Sequence, residues 1–213
     1  MLDAMVDGSG RIEPRRTLGQ PLSRLVPVVA LVAVMWLVEV IDSIPAVNLD
    51  QYGIRPRSDE GLVGIVASPF LHGDFAHLIA NTGAFLVLGG LIALTTRRFW
   101  LATVGIAVLG GLGTWLIAQP FSVHIGASGL VYGYAAFLVA WGILTRTAVD
   151  ILVAVGVIVL YGGLVIGVLP VQAGISWQGH LCGAIAGVLV AWWAATRRRA
   201  PNPEGRDPLR RYP

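Results

Sequence analysis

Hydrophobic positions in this chain fall in long unbroken runs separated by short polar joints. Six runs approach or reach the roughly 20 residues needed to cross about 30 Å of hydrocarbon: Leu25–Ile41, Phe75–Thr95, Phe99–Ala118, Gly126–Leu144, Val149–Leu169 and Trp177–Ala195. No Asp, Glu, Lys or Arg occurs between Asp150 and Arg197, which fits two spans joined by the turn Pro170 to Ser176. Backbone groups find no water in lipid, so the runs are expected to be helices. A barrel would alternate in polarity, and these runs do not. The first run is too long for a signal peptide and lacks a clean cleavage site after it. The predicted fold class is an all-α membrane protein, a six-transmembrane-helix bundle over residues 24–196, with polar tails at 1–23 and 197–213.

Composition supports this. The 213 residues are 55% hydrophobic and 13% charged, about half the charge of a soluble domain, with a mean hydropathy of +0.73. That excludes disorder and argues against a water-soluble globule. The single Cys182 excludes a disulfide framework and a Cys-based zinc site. All 15 basic residues are Arg, and their placement orients the chain. Arg11, Arg15, Arg16 and Arg24 precede the first run; Arg97, Arg98 and Arg146 fill alternate joints; Arg197, Arg198 and Arg199 follow the last. Only Arg55 and Arg57 fall on the other side, so both termini are expected to be cytoplasmic. The Arg-rich tail then suits anionic lipid rather than nucleic acid. Helices two, four and six start at the outer face.

Polar groups inside spans are expensive and mark functional sites. Here they cluster. His77 and Asn81 share a face of helix two, Ser128 and Tyr132 share one of helix four, and His180 lies near the start of helix six. All five fall in the first two turns of outward-starting helices, roughly 5–10 Å below the outer interface. Ser128 sits in Gly126-Ala127-Ser128-Gly129 at a helix start, where free N–H groups and the positive dipole end suit an oxyanion. Serine needs a base, and His180 is a candidate. On helix six Gly179, Gly183, Gly187 and Ala191 form a small-residue stripe, and helix four offers Gly129 and Gly133 at the same spacing. Pressing the stripes together would bring Ser128 level with His180.

These pieces together resemble the rhomboid intramembrane serine proteases: His77-Leu78-Ile79-Ala80-Asn81, Gly126-Ala127-Ser128-Gly129-Leu130-Val131-Tyr132-Gly133 and Gly179-His180-Leu181-Cys182-Gly183, with Phe70-Leu71-His72-Gly73 upstream. The resemblance covers the helical core and implies a six-helix rhomboid-like bundle that hydrolyses peptide bonds by a Ser-His dyad. Ser128 would be the nucleophile and His180 the base. His77, Asn81 and the Ser128 N–H would form the oxyanion hole, and Tyr132 would stack on His180. Gly126, Gly129 and Gly183 would support the site. Substrates would be single-span transmembrane proteins, with no metal or cofactor, and the location a bacterial plasma membrane with the site facing outward. The first external loop, Pro45 to Ser68, departs from the family in having no Trp beside an Arg; it reads Tyr52-Gly53-Ile54-Arg55-Pro56-Arg57.

Competing assignments are a triad using Asp74 with His77 and Ser128, and a metal site drawn from His72, His77, His124 and His180. Asp74 is expected instead to cap helix two, His72 to bond loop backbone, and His124 to be solvated or interfacial rather than a second base. Cys182 is expected to pack, and Glu39 and Asp42 to bond the first loop, through Arg55 or Arg57. Trp36, Trp100, Trp115, Trp177, Trp192 and Trp193 lie within the runs, those at run ends as belt residues. As functions, a non-catalytic binder of transmembrane helices and a small transporter compete with the protease.

Overall fold

A computed structural model describes residues 5–6, 12–13, 22–171 and 174–199. Six long helices carry the fold: α1 (Val26–Asp42), α2 (Phe75–Leu91), α3 (Phe99–Ile117), α4 (Ser128–Thr145), α5 (Ala148–Tyr161) and α6 (Trp177–Arg199). Their limits follow from local chemistry. Pro27 occupies the first turn of α1, where its missing N–H costs nothing. Asp74 starts α2 by accepting the His77 backbone N–H at 2.7 Å, the expected cap. Thr147 starts α5 by accepting the Asp150 N–H at 3.2 Å. The chain leaves α2 through a π-helical stretch, Ile92–Thr96, that stops at Arg97 with φ +57°. α4 stops at Arg146, also at φ +57°. α5 tightens into a 3-10 segment, Gly162–Val168.

Among the described residues five helical stretches are long and apolar enough to cross a membrane: Phe75–Thr96, Phe99–Ile117, Ser128–Thr145, Ala148–Val168 and Trp177–Arg198. α1 has 17 residues, the lower limit for a span. The only strand pairing among the described residues is a two-residue ladder, Met5–Val6 against Ile12–Glu13. The tails expected at 1–23 and 197–213 otherwise fall largely outside the described residues.

α4 is the central helix, touching α2, α3, α5 and α6. Its Tyr134 and Phe137 are completely buried with Phe85 and Leu88 of α2. The Thr103 hydroxyl donates to the Phe99 carbonyl at 2.8 Å and therefore accepts from the Tyr134 hydroxyl at 2.7 Å, so this polar pair is satisfied inside the core. α5 lies at the periphery, with Leu152, Val159 and Leu160 about three-quarters exposed, a surface suited to lipid.

The first loop is ordered by partners outside itself. Its Ile54 exchanges both backbone hydrogen bonds with His124, at 2.9 and 3.0 Å. The Trp115 indole N–H donates to the Ser58 carbonyl at 2.9 Å, and the Arg57 guanidinium donates to the Leu116 carbonyl at 2.8 Å. An indole and a guanidinium thus anchor the loop after all, the indole coming from the end of α3. Expected pairings of Glu39 and Asp42 need correction. Asp42 bonds the loop through the Leu49 backbone N–H, not through an arginine. Glu39 is buried, and its Oε2 and the Arg55 Nε each lack a hydrogen-bond partner.

Candidate active site

The α4–α6 seam sets the central geometry. A Cβ at Gly183 would lie 2.1 Å from the Gly129 carbonyl oxygen, and one at Gly187 would lie 2.1 Å from that of Gly133. Only glycine allows the two backbones to come this close. The approach brings Ser128 Oγ to 2.8 Å from His180 Nε2. His180 Nδ1 lies 2.9 Å from the Gly167 carbonyl oxygen in the 3-10 segment after α5. A carbonyl only accepts, so the Nδ1 carries the proton and Nε2 offers its lone pair to the Ser128 hydroxyl. The Tyr132 ring stacks on the imidazole, centroids 4.0 Å apart and planes 8° apart. Hydrogen bonds on both ring nitrogens and a stacked face fix the imidazole in position.

Above the serine the chain turns through Gly126 at φ +106°, a conformation that strongly favours glycine. Its N–H donates to the Ser68 carbonyl at 2.9 Å. A Cβ there would stand 2.8 Å from His77 Nε2 and 3.8 Å from Asn81 Nδ2, so both side-chain nitrogens converge over this turn. Asn81 Nδ2 donates one hydrogen to the His77 carbonyl at 3.0 Å and retains another. Ser128 opens α4, so its own N–H has no intrahelical acceptor. His77 Nε2, Asn81 Nδ2 and the Ser128 N–H thus lie around the turn that leads into α4. A cavity of about 1150 Å³ reaches His77, Asn81, Ser128, Tyr132, Gln178 and His180. A smaller chamber of about 50 Å³ lies behind Ser128, against Ile106, Gly110 and Thr114.

The other candidates fall elsewhere. The Asp74 carboxylate bonds the His77 backbone rather than its ring, which leaves the alternative triad without its orienting bond. His72 is buried, with Nε2 accepting the Ala127 N–H at 3.4 Å and its ring edge-on to His77 at 5.1 Å. Burial, reinforced by neighbouring His77, lowers its pKa to about 4, so it is neutral and can accept. His124 corrects the expectation of solvation: it is buried, its pKa is lowered by that burial, and its ring bonds Ser122 and Ser176. Among the described residues no group of three His, Cys, Asp or Glu side chains is placed to hold a metal. Cys182 packs against the Gly113 backbone.

Three contributors escaped the sequence reading. Gly167 acts through a backbone carbonyl and Ser68 likewise, and such groups leave no signal in residue type. Ser176 did leave one: a serine just before an apolar helix is a cap signature.

A class of protein follows from these features: a multi-pass helical membrane protein with a hydroxyl and an imidazole paired at one end of its bundle. Residues 59–197 match the rhomboid domain. An uncharacterized protein of Mycobacterium tuberculosis is 45% identical over 181 residues, covering 81% of this chain and 75% of that one. An uncharacterized protein of Mycobacterium leprae is 43% identical over 185 residues, covering 82% and 72%. A Bacillus subtilis protein named "Putative rhomboid protease YdcA" is 30% identical over 127 residues, covering 54% and 62%. The chain belongs to the rhomboid family.

Proposed function

We propose that this protein is an intramembrane serine endopeptidase, cutting peptide bonds in or near transmembrane segments with a Ser128–His180 dyad. The observation that carries the reading is the 2.8 Å approach of Ser128 Oγ to an imidazole nitrogen whose partner nitrogen is held by Gly167. In this reading His180 Nε2 takes the hydroxyl proton as Oγ attacks the scissile carbonyl. The resulting oxyanion is met by the Ser128 N–H, Asn81 Nδ2–H and His77 Nε2–H. His180 then passes its proton to the leaving amine, and an acyl ester remains on Ser128. A water, deprotonated by His180, cleaves that ester, and the proton returns to Ser128. The Gly167 carbonyl does what an aspartate does in a triad, holding the tautomer without placing a charge in the membrane.

The same reading counts α1 as a sixth span, puts both termini in the cytoplasm, and treats residues 24–196 as the catalytic domain. It places the protein in a bacterial plasma membrane with the site toward the extracytoplasmic face, in keeping with the Arg distribution and with bacterial relatives. Substrates are single-span proteins admitted laterally from lipid.

Purified protein in detergent is expected to cleave a transmembrane substrate and to be labelled at Ser128 by a fluorophosphonate. Ser128→Ala should lose both with its unfolding midpoint unchanged. Cleavage by that variant would remove the dyad. Capture of helices by the parent protein, without labelling or cleavage, would make it a binder. Histidine-dependent flux in vesicles would make it a transporter.

A further inference from the structure

A second serine–histidine pairing lies just outside the first. His124 is four residues before Ser128, and Ser176 is four residues before His180. Their side chains meet, His124 Nδ1 to Ser176 Oγ at 2.5 Å. His124 Nε2 lies 2.8 Å from Ser122 Oγ.

Proton directions in this chain are fixed by its ends. Ser122 donates its one hydroxyl hydrogen to the Gln119 carbonyl at 2.6 Å, so towards His124 it can only accept. Nε2 of His124 therefore carries the hydrogen, and Nδ1 accepts. The Ser176 hydroxyl donates into Nδ1 and keeps a lone pair for the Gly179 N–H at 3.3 Å, an N-cap on the first turn of α6. Every donor in the chain meets an acceptor. Burial holds His124 in the neutral form this pattern requires. The backbone of the same residue is paired on both sides with Ile54. His124 thus ties three segments together: the first loop, the approach to α4 and the start of α6.

We infer that His124 and Ser176 form an extracytoplasmic clasp that positions the Ser128–His180 pair, fixing the start of α6 against the approach to α4. The inference rests on the proposed serine-protease reading. Deeper in the bundle the glycine seam sets the spacing of α4 and α6, and at its outer end the clasp sets their register. His124 and Ser176 are positioning residues: neither bonds Ser128 or His180 through its side chain.

The test compares Ser176→Ala, Ser176→Thr and His124→Ala with the parent protein in detergent. Readouts are kcat, KM, the rate of fluorophosphonate labelling at Ser128, and amide hydrogen exchange in residues 174–181. Ser176→Ala and His124→Ala are each expected to lower kcat and the labelling rate roughly 10-fold or more, as small misplacements of reacting groups do, with KM within about twofold. Exchange at the start of α6 should quicken in both. Ser176→Thr keeps the hydroxyl and should restore rate and protection, and combining the two alanine changes should add little. If His124→Ala fails to fold, the Ser176 pair decides alone. Faster exchange with parental kcat and labelling would overturn the positioning role, leaving only a loop staple. Unchanged exchange would overturn the clasp itself. A parent protein that takes no label would instead fail the serine-protease reading, and the positioning role would fall with it.

Discussion

A methyl group at residue 126 would enter the space where His77 and Asn81 present their nitrogens, and the backbone there turns through φ +106°. Geometry of this kind makes single-residue effects at the site separable. In the proposed mechanism Asn81→Ala removes one N–H donor to the oxyanion and leaves the Ser128–His180 bond in place. Turnover is expected to fall roughly 10–10³-fold with KM little changed; steady-state cleavage kinetics at saturating substrate check it, and an unaltered kcat would put Asn81 outside the hole. Gly126→Ala should lose activity for a different reason, because its Cβ would displace His77. The side chains that the fold brings together here, Ser128, His180, Asn81 and Tyr132, are the ones that spacing along the hydrophobic runs singles out. The burial of His124 was not legible, because its sequence neighbourhood looks like an exposed turn. Its burial comes from the first loop folding over it at Ile54, a contact between residues 70 positions apart that no local pattern encodes.

Helices α4 and α6 meet backbone to backbone, so substitutions in the seam act on the element rather than the side chain. Gly187→Ala would set a Cβ 2.1 Å from the Gly133 carbonyl oxygen, and a backbone atom cannot rotate away. The helices must separate, which is expected to lower the unfolding midpoint in detergent and to weaken the His180–Ser128 approach. Gly156→Ala on α5 is the matched control, since nothing lies within 4 Å of its Cβ. There the usual preference of a helix interior for alanine should leave stability unchanged or raise it by up to about 1 kcal/mol. Thermal melts of the two variants, run side by side, distinguish seam from periphery; equal melts would remove the seam as the organiser of the site. The stripe itself was readable, as was the extent of the hydrophobic runs. The passage of α5 into a 3-10 segment was not, because Gly162, Gly163 and Gly167 are equally compatible with a continued apolar run. That passage is what carries the Gly167 carbonyl to His180, so the least buried helix of the bundle supplies the orienting bond of its imidazole.

On the scale of the whole molecule, two buried histidines at the Ser128 end of the bundle make stability depend on pH. His72 is the stronger case, its pKa lowered from 6.5 to about 4 by burial. Above pH 6.5 the folded and unfolded chains both hold it neutral, and it contributes no pH dependence. Between pH 6.5 and about 4 the unfolded chain binds a proton that the folded one refuses, so stability falls with pH through that window. The full effect of His72, reached below about pH 4, is of order 3 kcal/mol. His124 shifts in the same direction and steepens the fall. His72 and His124 therefore lower the unfolding midpoint in detergent as pH decreases from 6.5 to 4, while Asp50, its pKa raised to about 6 by burial and by neighbouring Asp42, acts in the opposite sense below pH 6. His72→Gln keeps a polar side chain and removes the titrating group, so its midpoint should fall less steeply over the same window, whatever its value at neutral pH. Parallel slopes for parent and variant would mean that His72 is not buried neutral. The acceptor role of its Nε2 towards Ala127 would then be lost, and with it one support of the turn that presents Ser128.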